Sequence, residues 1–180
     1  MTTDTELLAG IAAADADAHP APPIDTRALA DAARVDLRAW TVRQPWASAI
    51  VGQPGGNGGP KSVENRTTRV NRRGLVLIHA GLRYDLDAAS RSWVMCQWLT
   101  SGSATPSTMP TGAVVGAAVI EDCHRCDGDC SEWAEQGAWH VRLGRRFALA
   151  QPVACRGALG FWRPQPAALA AVLEQHGTAS

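Results

Sequence analysis

The sequence predicts an α+β fold: a small mixed barrel or rolled sheet of five to six short strands with short flanking helices. Three observations carry that expectation. The 180 residues are 46% hydrophobic, enough to bury one good core and too few for two. Strand-like runs recur with mostly short links and are interrupted by helical stretches, which is neither a βαβ alternation nor a helical bundle. The longest apolar runs, Leu75–Ala80 and Ala113–Ile120, are far too short to span a bilayer and suit the interior of a sheet.

Residues 1–36 form an acidic arm rich in alanine and proline, with part of it disordered, and residues 37–180 form the domain. The arm holds seven acids against Arg27 and Arg34. His19-Pro20-Ala21-Pro22-Pro23 forbids a continuous helix there and favours an extended linker. Leu29 to Val35 is long enough for a short helix against the body. Leu37–Arg43 alternates as a strand does, and Gln44-Pro45 opens a short helix over Trp46–Val51, with proline suited to the first turn. Gly52 ends it, and Gln53–Pro60 is a glycine- and proline-rich loop. Lys61–Thr68 is β-compatible, Asn71-Arg72-Arg73-Gly74 is a turn, and Leu75–His79 is a buried strand. Asp85–Leu99 reads as one helix with Leu86, Ala89, Trp93 and Cys96 along a face. After a loop over Ser101–Gly112, strands are expected at Ala113–Ile120, Ala138–Leu143 and Phe147–Cys155. A helix over Ala167–His176 closes the chain.

Chemistry concentrates in Gly59-Pro60-Lys61-Ser62-Val63-Glu64-Asn65-Arg66. Side chains alternate on a strand, so Glu64, Arg66 and Thr68 share one face. Lys61 falls on the other face unless it sits at the strand mouth, which Gly59-Pro60 allows. Lys61 is also the only lysine among 17 basic residues, and an ammonium differs from a guanidinium in being a compact charge sensitive to desolvation. A Glu64–Arg66 ion pair with Lys61 reaching over from the rim would bind phosphate and stabilise developing negative charge. On sequence alone, a surface ion pair on a strand accounts for the same spacing.

Two further segments are candidates for the same cleft. Arg43-Gln44-Pro45-Trp46 lies where a strand hands over to a helix; Gln44 offers amide donors and an acceptor, and Trp46 a face for a base. His79 ends an apolar strand. Asn65 and the arginines Arg69, Arg72 and Arg73 add donors for a polyanion, although a solvated hairpin decorated with arginine is the alternative. Trp40, Trp93, Trp98, Trp133, Trp139 and Trp162 are expected in the core or cleft wall.

Taken in order, Arg43-Gln44-Pro45-Trp46, Gly59-x-Lys61-x-x-Glu64-x-Arg66 and Gly74-x-x-x-x-His79-Ala80 resemble the ASCH (activating signal cointegrator homology) domain of the PUA-like superfamily. The resemblance covers about Leu37 to Pro164, with Gly112–Asp122 matching a central strand and Pro152–Trp162 a closing strand and turn. It implies a small β-barrel whose cleft binds RNA or a nucleotide, with DNA a second polyanion of the same chemistry. It also implies Lys61, Glu64 and Arg66 as the catalytic or binding cluster. Some ASCH-like proteins are ribonucleases, in which Glu64 would serve as general base and a divalent cation would assist. Others are amidohydrolases acting on acetylated cytidine through a threonine near the lysine; here the residue three after Lys61 is Glu64. A non-catalytic adaptor is a third reading, through the arm or the cysteines.

Cys123-His124-Arg125-Cys126-Asp127-Gly128-Asp129-Cys130 has spacings that suit tetrahedral zinc, with His124 or His140 as fourth ligand. Free thiols, or an oxidation-sensitive pair at Cys126 and Cys130, are the competing readings. Five cysteines and an acidic start that lacks an apolar signal core suit a cytoplasmic protein with no membrane partner.

Overall fold

The computed structural model describes residues 26–55, 58–101, 107–127 and 130–177; the arm expected over Met1–Pro23 lies outside them. The described chain is an α+β fold around a six-stranded mixed sheet that curls into a half-barrel. In chain order the elements are α1 (Thr26–Val35), β1 (Arg38–Gln44), α2 (Trp46–Val51), β2 (Val63–Arg66) and β3 (Gly74–Tyr84). There follow α3 (Ala88–Arg91), α4 (Trp93–Thr100), β4 (Ala113–His124), β5 (Trp139–Ala154), β6 (Phe161–Trp162) and α5 (Pro166–Gly177).

The sheet order is β2-β5-β4-β3-β1-β6. β1 runs parallel to β3, and every other pairing is antiparallel. The parallel pair is feasible because α2, a loop and β2 carry the chain back between β1 and β3. Both faces of the sheet are packed, so alternate residues feed two cores. On β1, Trp40 and Val42 enter one core and Ala39 the other; on β3, Val76 and Ile78 enter the first and Leu77 the second. α2 covers the first core, while Leu29 of α1 and Val172 of α5 close the second. No helix among the described residues is long and apolar enough to cross a membrane.

β2 and β1 lie at positions one and five of the sheet, yet the Arg66 guanidinium of β2 sits 4.4 Å from the centre of the Trp40 ring of β1. Only a strongly coiled sheet brings such remote strands together. Register shifts in β4 and β5, between Val114 and Gly116 and again near Ile120, supply bends that curl a sheet. Gly116 fits there because a Cβ would stand 2.1 Å from the Phe147 carbonyl oxygen.

Three expectations are corrected. The single helix over Asp85–Leu99 is two short helices, α3 and α4, broken at Ser92, whose extended backbone (φ −137°, ψ 114°) lets its hydroxyl accept from the Met95 amide. The break resets the helical phase, so Ala88 and Met95 are buried while Leu86 and Trp93 are exposed, at 85% and 62%. Trp93 is therefore neither core nor cleft wall. The two strands expected at Ala138–Leu143 and Phe147–Cys155 are one bent strand, β5, because register shifts absorb Gly144-Arg145 without a turn.

Candidate functional site

Lys61 lies just before β2, outside the pleat, and so escapes the alternation that would have turned it away from Glu64. Its backbone N–H donates to the Ala49 carbonyl of α2 at 3.0 Å. Gly59 permits that approach: a Cβ there would stand 2.1 Å from the Ala49 oxygen. The Lys61 side chain is 1% exposed. Its Nζ donates to the Val63 carbonyl at 2.6 Å and lies 3.5 Å from Glu64 Oε2. The rings of Trp46 and Trp133 flank the ammonium, with centroids at 4.8 and 5.4 Å, so two negative π faces replace part of its lost hydration. Burial still lowers the Lys61 pKa, against the opposing fields of Glu64 and Glu135.

Glu64 thus has both oxygens committed: Oε2 to Lys61, and Oε1 to Arg66 Nη2 at 3.1 Å. Arg66 rests on Trp40 and keeps about a third of its side chain exposed. Its Nε and Nη2 are buried and have no hydrogen-bond acceptor aligned with them; the contact to Glu64 is a charge contact rather than a well-directed bond. Glu64 and Arg66 line a cleft of about 350 Å³ together with Thr41 and Arg43 of β1 and Trp46 at the start of α2. Asp85 and Arg91 complete the rim. Asp85 is placed by its own N–H, which donates to the Gln44 carbonyl. Its carboxylate accepts from Trp46 Nε1 at 3.0 Å and pairs with Arg91.

Of the residues singled out in the sequence, Arg43, Trp46, Glu64 and Arg66 line this cleft, and Lys61 underlies it. The others lie elsewhere. Gln44 is fully buried; its amide nitrogen donates to the Pro110 carbonyl and its oxygen accepts from the Ser48 amide, so it ties α2 to a loop. Asn65 faces the other way, donating to the Trp133 carbonyl and accepting from the Glu135 amide. It holds the loop that carries Trp133. Arg72 pairs with Asp36, and Arg73 bonds Val70 and Arg72 carbonyls and pairs with Asp122. Arg69 lies over Trp139. His79 sits within β3, beside Thr41 Oγ1 and the Cys155 carbonyl. It lines a larger, more apolar cavity of about 550 Å³ that shares Thr41 and Leu159 with the cleft. Size favours that cavity, but the convergent charges are in the smaller one, and charge is what a polar ligand reads.

No local signal marks Thr41, Asp85 or Arg91 as cleft residues. Their place depends on the curl of the sheet and on where β3 ends.

A divalent cation does not fit the cleft. Its only carboxylates among the described residues, Glu64 and Asp85, are already paired with Lys61, Arg66 and Arg91, whose charges oppose a further cation. A different group of side chains can hold a metal: His124, Cys126, Cys130 and His140 bring one ligand atom each to within 4.8 Å of one another. Cys123, expected among the ligands, is not in that group. It is buried in the first core, and its sulfur accepts from the Val70 amide at 3.3 Å. Alternation explains the exclusion, since Cys123 and His124 are neighbours on β4 and face opposite ways.

No protein-family model matches this chain, and no curated protein is found to be similar to it. The likeness to ASCH domains rests on the order and spacing of its motifs.

Proposed function

We propose that the half-barrel is a PUA-like barrel of the ASCH type and that its Glu64–Arg66 cleft receives single-stranded RNA or a nucleotide. One observation carries the reading. Arg66 is stacked on Trp40, is held by the charge of Glu64, and keeps about a third of its side chain exposed at the wall of an open cleft, although its Nε and Nη2 are buried. The exposed part of a guanidinium preorganised in this way suits a phosphate or a base edge. Arg43 adds positive charge at the rim, Arg91 is balanced there by Asp85, and Trp46, buried in the first core at 9% exposure, gives the cleft only a ring edge.

Binding is favoured over cleavage. A general base needs a carboxylate oxygen free to take a proton, and both Glu64 oxygens face cations. Lys61 is sealed beneath tryptophan rings and acts as a positioning residue that holds Glu64, which in turn aims Arg66.

The test compares wild type with Arg66→Ala and Arg43→Ala on end-labelled single-stranded RNA and matching DNA, following binding and cleavage over a series of salt concentrations. Wild type is expected to bind RNA with an affinity that falls as salt rises. Arg66→Ala should weaken binding about tenfold and flatten the log–log salt slope by about 0.7, the value for one lost phosphate contact on a single strand. Absence of binding, or binding indifferent to both substitutions, overturns the reading. Metal-independent cleavage abolished by Glu64→Gln would replace a reader with a nuclease.

A further inference from the structure

The strands β4 and β5 pair so that His124 and His140 are direct cross-strand partners, and their rings meet edge to face at 5.9 Å. The connection between these strands brings Cys126 and Cys130 back over the pair. The two sulfurs lie 3.2 and 3.3 Å from His140 Nδ1 and 2.7 Å from each other. Zinc at its usual bond lengths holds sulfur and nitrogen ligands about 3.6 Å apart and two sulfurs about 3.8 Å apart. The sulfur–nitrogen pairs are close to that geometry, and an ion would open the sulfur–sulfur edge.

Each imidazole is also held by its second nitrogen. His140 Nε2 faces the Glu135 carbonyl at 2.9 Å, and His124 Nδ1 faces Asp122 Oδ2 at 2.7 Å. A carbonyl and a carboxylate can only accept, so each contact takes the ring N–H. The lone pairs are then left on His140 Nδ1, which faces both sulfurs, and on His124 Nε2. Ligating histidines are normally fixed in this way, with the non-ligating nitrogen donating to a carbonyl or carboxylate. Two thiolates and two neutral imidazoles would balance a divalent ion, each thiol releasing its proton to solvent on binding.

We infer that His124, Cys126, Cys130 and His140 form a closed, four-ligand structural zinc centre that fixes the Trp133 wall of the Lys61 site. Four protein ligands leave no open position for a substrate, which makes the role structural rather than catalytic. The segment between Cys130 and His140 supplies Ser131 beside Ser62, Trp133 over Lys61, and the Trp133 carbonyl and Glu135 amide that clamp Asn65. Anchoring both ends of that segment to one ion holds the wall in place.

The full chain, purified with reductant and without chelator, is expected to carry one equivalent of zinc. Cys126→Ser and Cys130→Ser should each lose it, whereas Cys123→Ser and Cys155→Ser should keep it. Exchange of wild type with Co(II) should give thiolate charge-transfer and tetrahedral ligand-field bands, a readout that does not depend on any variant folding. Chelation should cost the backbone amides of Glu135 and Ala138 their protection from hydrogen exchange, since both are bonded within the anchored segment. A metal-free wild type with no cobalt bands overturns the centre. So does loss of zinc in Cys123→Ser, or a reduced preparation lighter by two hydrogens with Cys126 joined to Cys130. Unchanged amide protection after chelation overturns the link to the Trp133 wall. Metal content reads the same whether or not the cleft binds RNA.

Discussion

Replacing Glu64 with glutamine removes the only counter-charge among the described residues that touches a fully buried ammonium. At 3.5 Å from Lys61 Nζ, the lost attraction is about 5 kcal/mol for an effective dielectric constant near 20. Breaking a buried pair by removing one partner typically costs about 3–5 kcal/mol. The lower end applies here, because Lys61 keeps the Val63 carbonyl and two tryptophan faces. About 3 kcal/mol corresponds to a fall in Tm of roughly 6–12 °C for a domain of this size. Lys61→Met combined with Glu64→Gln should recover much of the loss, since an apolar replacement of both partners leaves no charge stranded. The pH dependence follows from the lowered Lys61 pKa. Between its folded pKa and 10.5 the unfolded chain binds more protons, so stability rises with pH across that window. In Glu64→Gln the field that holds the proton on Lys61 is gone, the folded pKa falls further, and the window extends downward. The gap between wild type and variant should therefore narrow as pH climbs toward 10.5. Urea and thermal unfolding followed by circular dichroism measure all of this. A Glu64→Gln protein within about 0.5 kcal/mol of wild type, or a double variant no more stable than the single, would refute a buried, charge-paired Lys61.

Gly59→Ala should destabilise the fold by about 1–3 kcal/mol and weaken ligand binding. Its Cβ meets the Ala49 carbonyl of α2 at 2.1 Å, and the strain falls on the segment that positions Lys61; unfolding and RNA titrations check it, and wild-type behaviour would refute it. Burial lowers the His79 pKa, with the bond to the Cys155 carbonyl working the other way. Between the lowered value and 6.5 the unfolded chain binds more protons, so stability present above 6.5 is lost on acidification through that window. His79→Gln should remove this component, seen as a flatter dependence of Tm on pH.

Local rules made much of the strand content legible. Alternation marked Leu37–Arg43 as a strand, Pro45 and Gly52 bounded α2, and Asn71–Arg73 led into β3 at Gly74, because those signals act over a few residues and survive any tertiary context. The break at Ser92 was hidden, since serine is tolerated in short helices and only packing selects the phase on each side of it. Likewise, Gly144-Arg145 within β5 looks like a turn until a neighbouring strand is there to continue pairing.

The same division runs through the two candidate sites. Spacing along the chain already puts Lys61, Glu64 and Arg66 close enough to interact, and gathers cysteines and a histidine between Cys123 and Cys130. Folding buries Lys61 instead of leaving it at the cleft rim, because the rings that seal it come from Trp46 and from Trp133, far along the chain. It replaced Cys123 with a pair of histidines, because strand alternation and β4–β5 register bring His124 and His140 together. It moved Gln44, Asn65 and His79 out of the cleft, each to a backbone partner remote in sequence. Side-chain chemistry is written locally, but which groups meet depends on how far the sheet curls, and that is set by the packing of two cores at once.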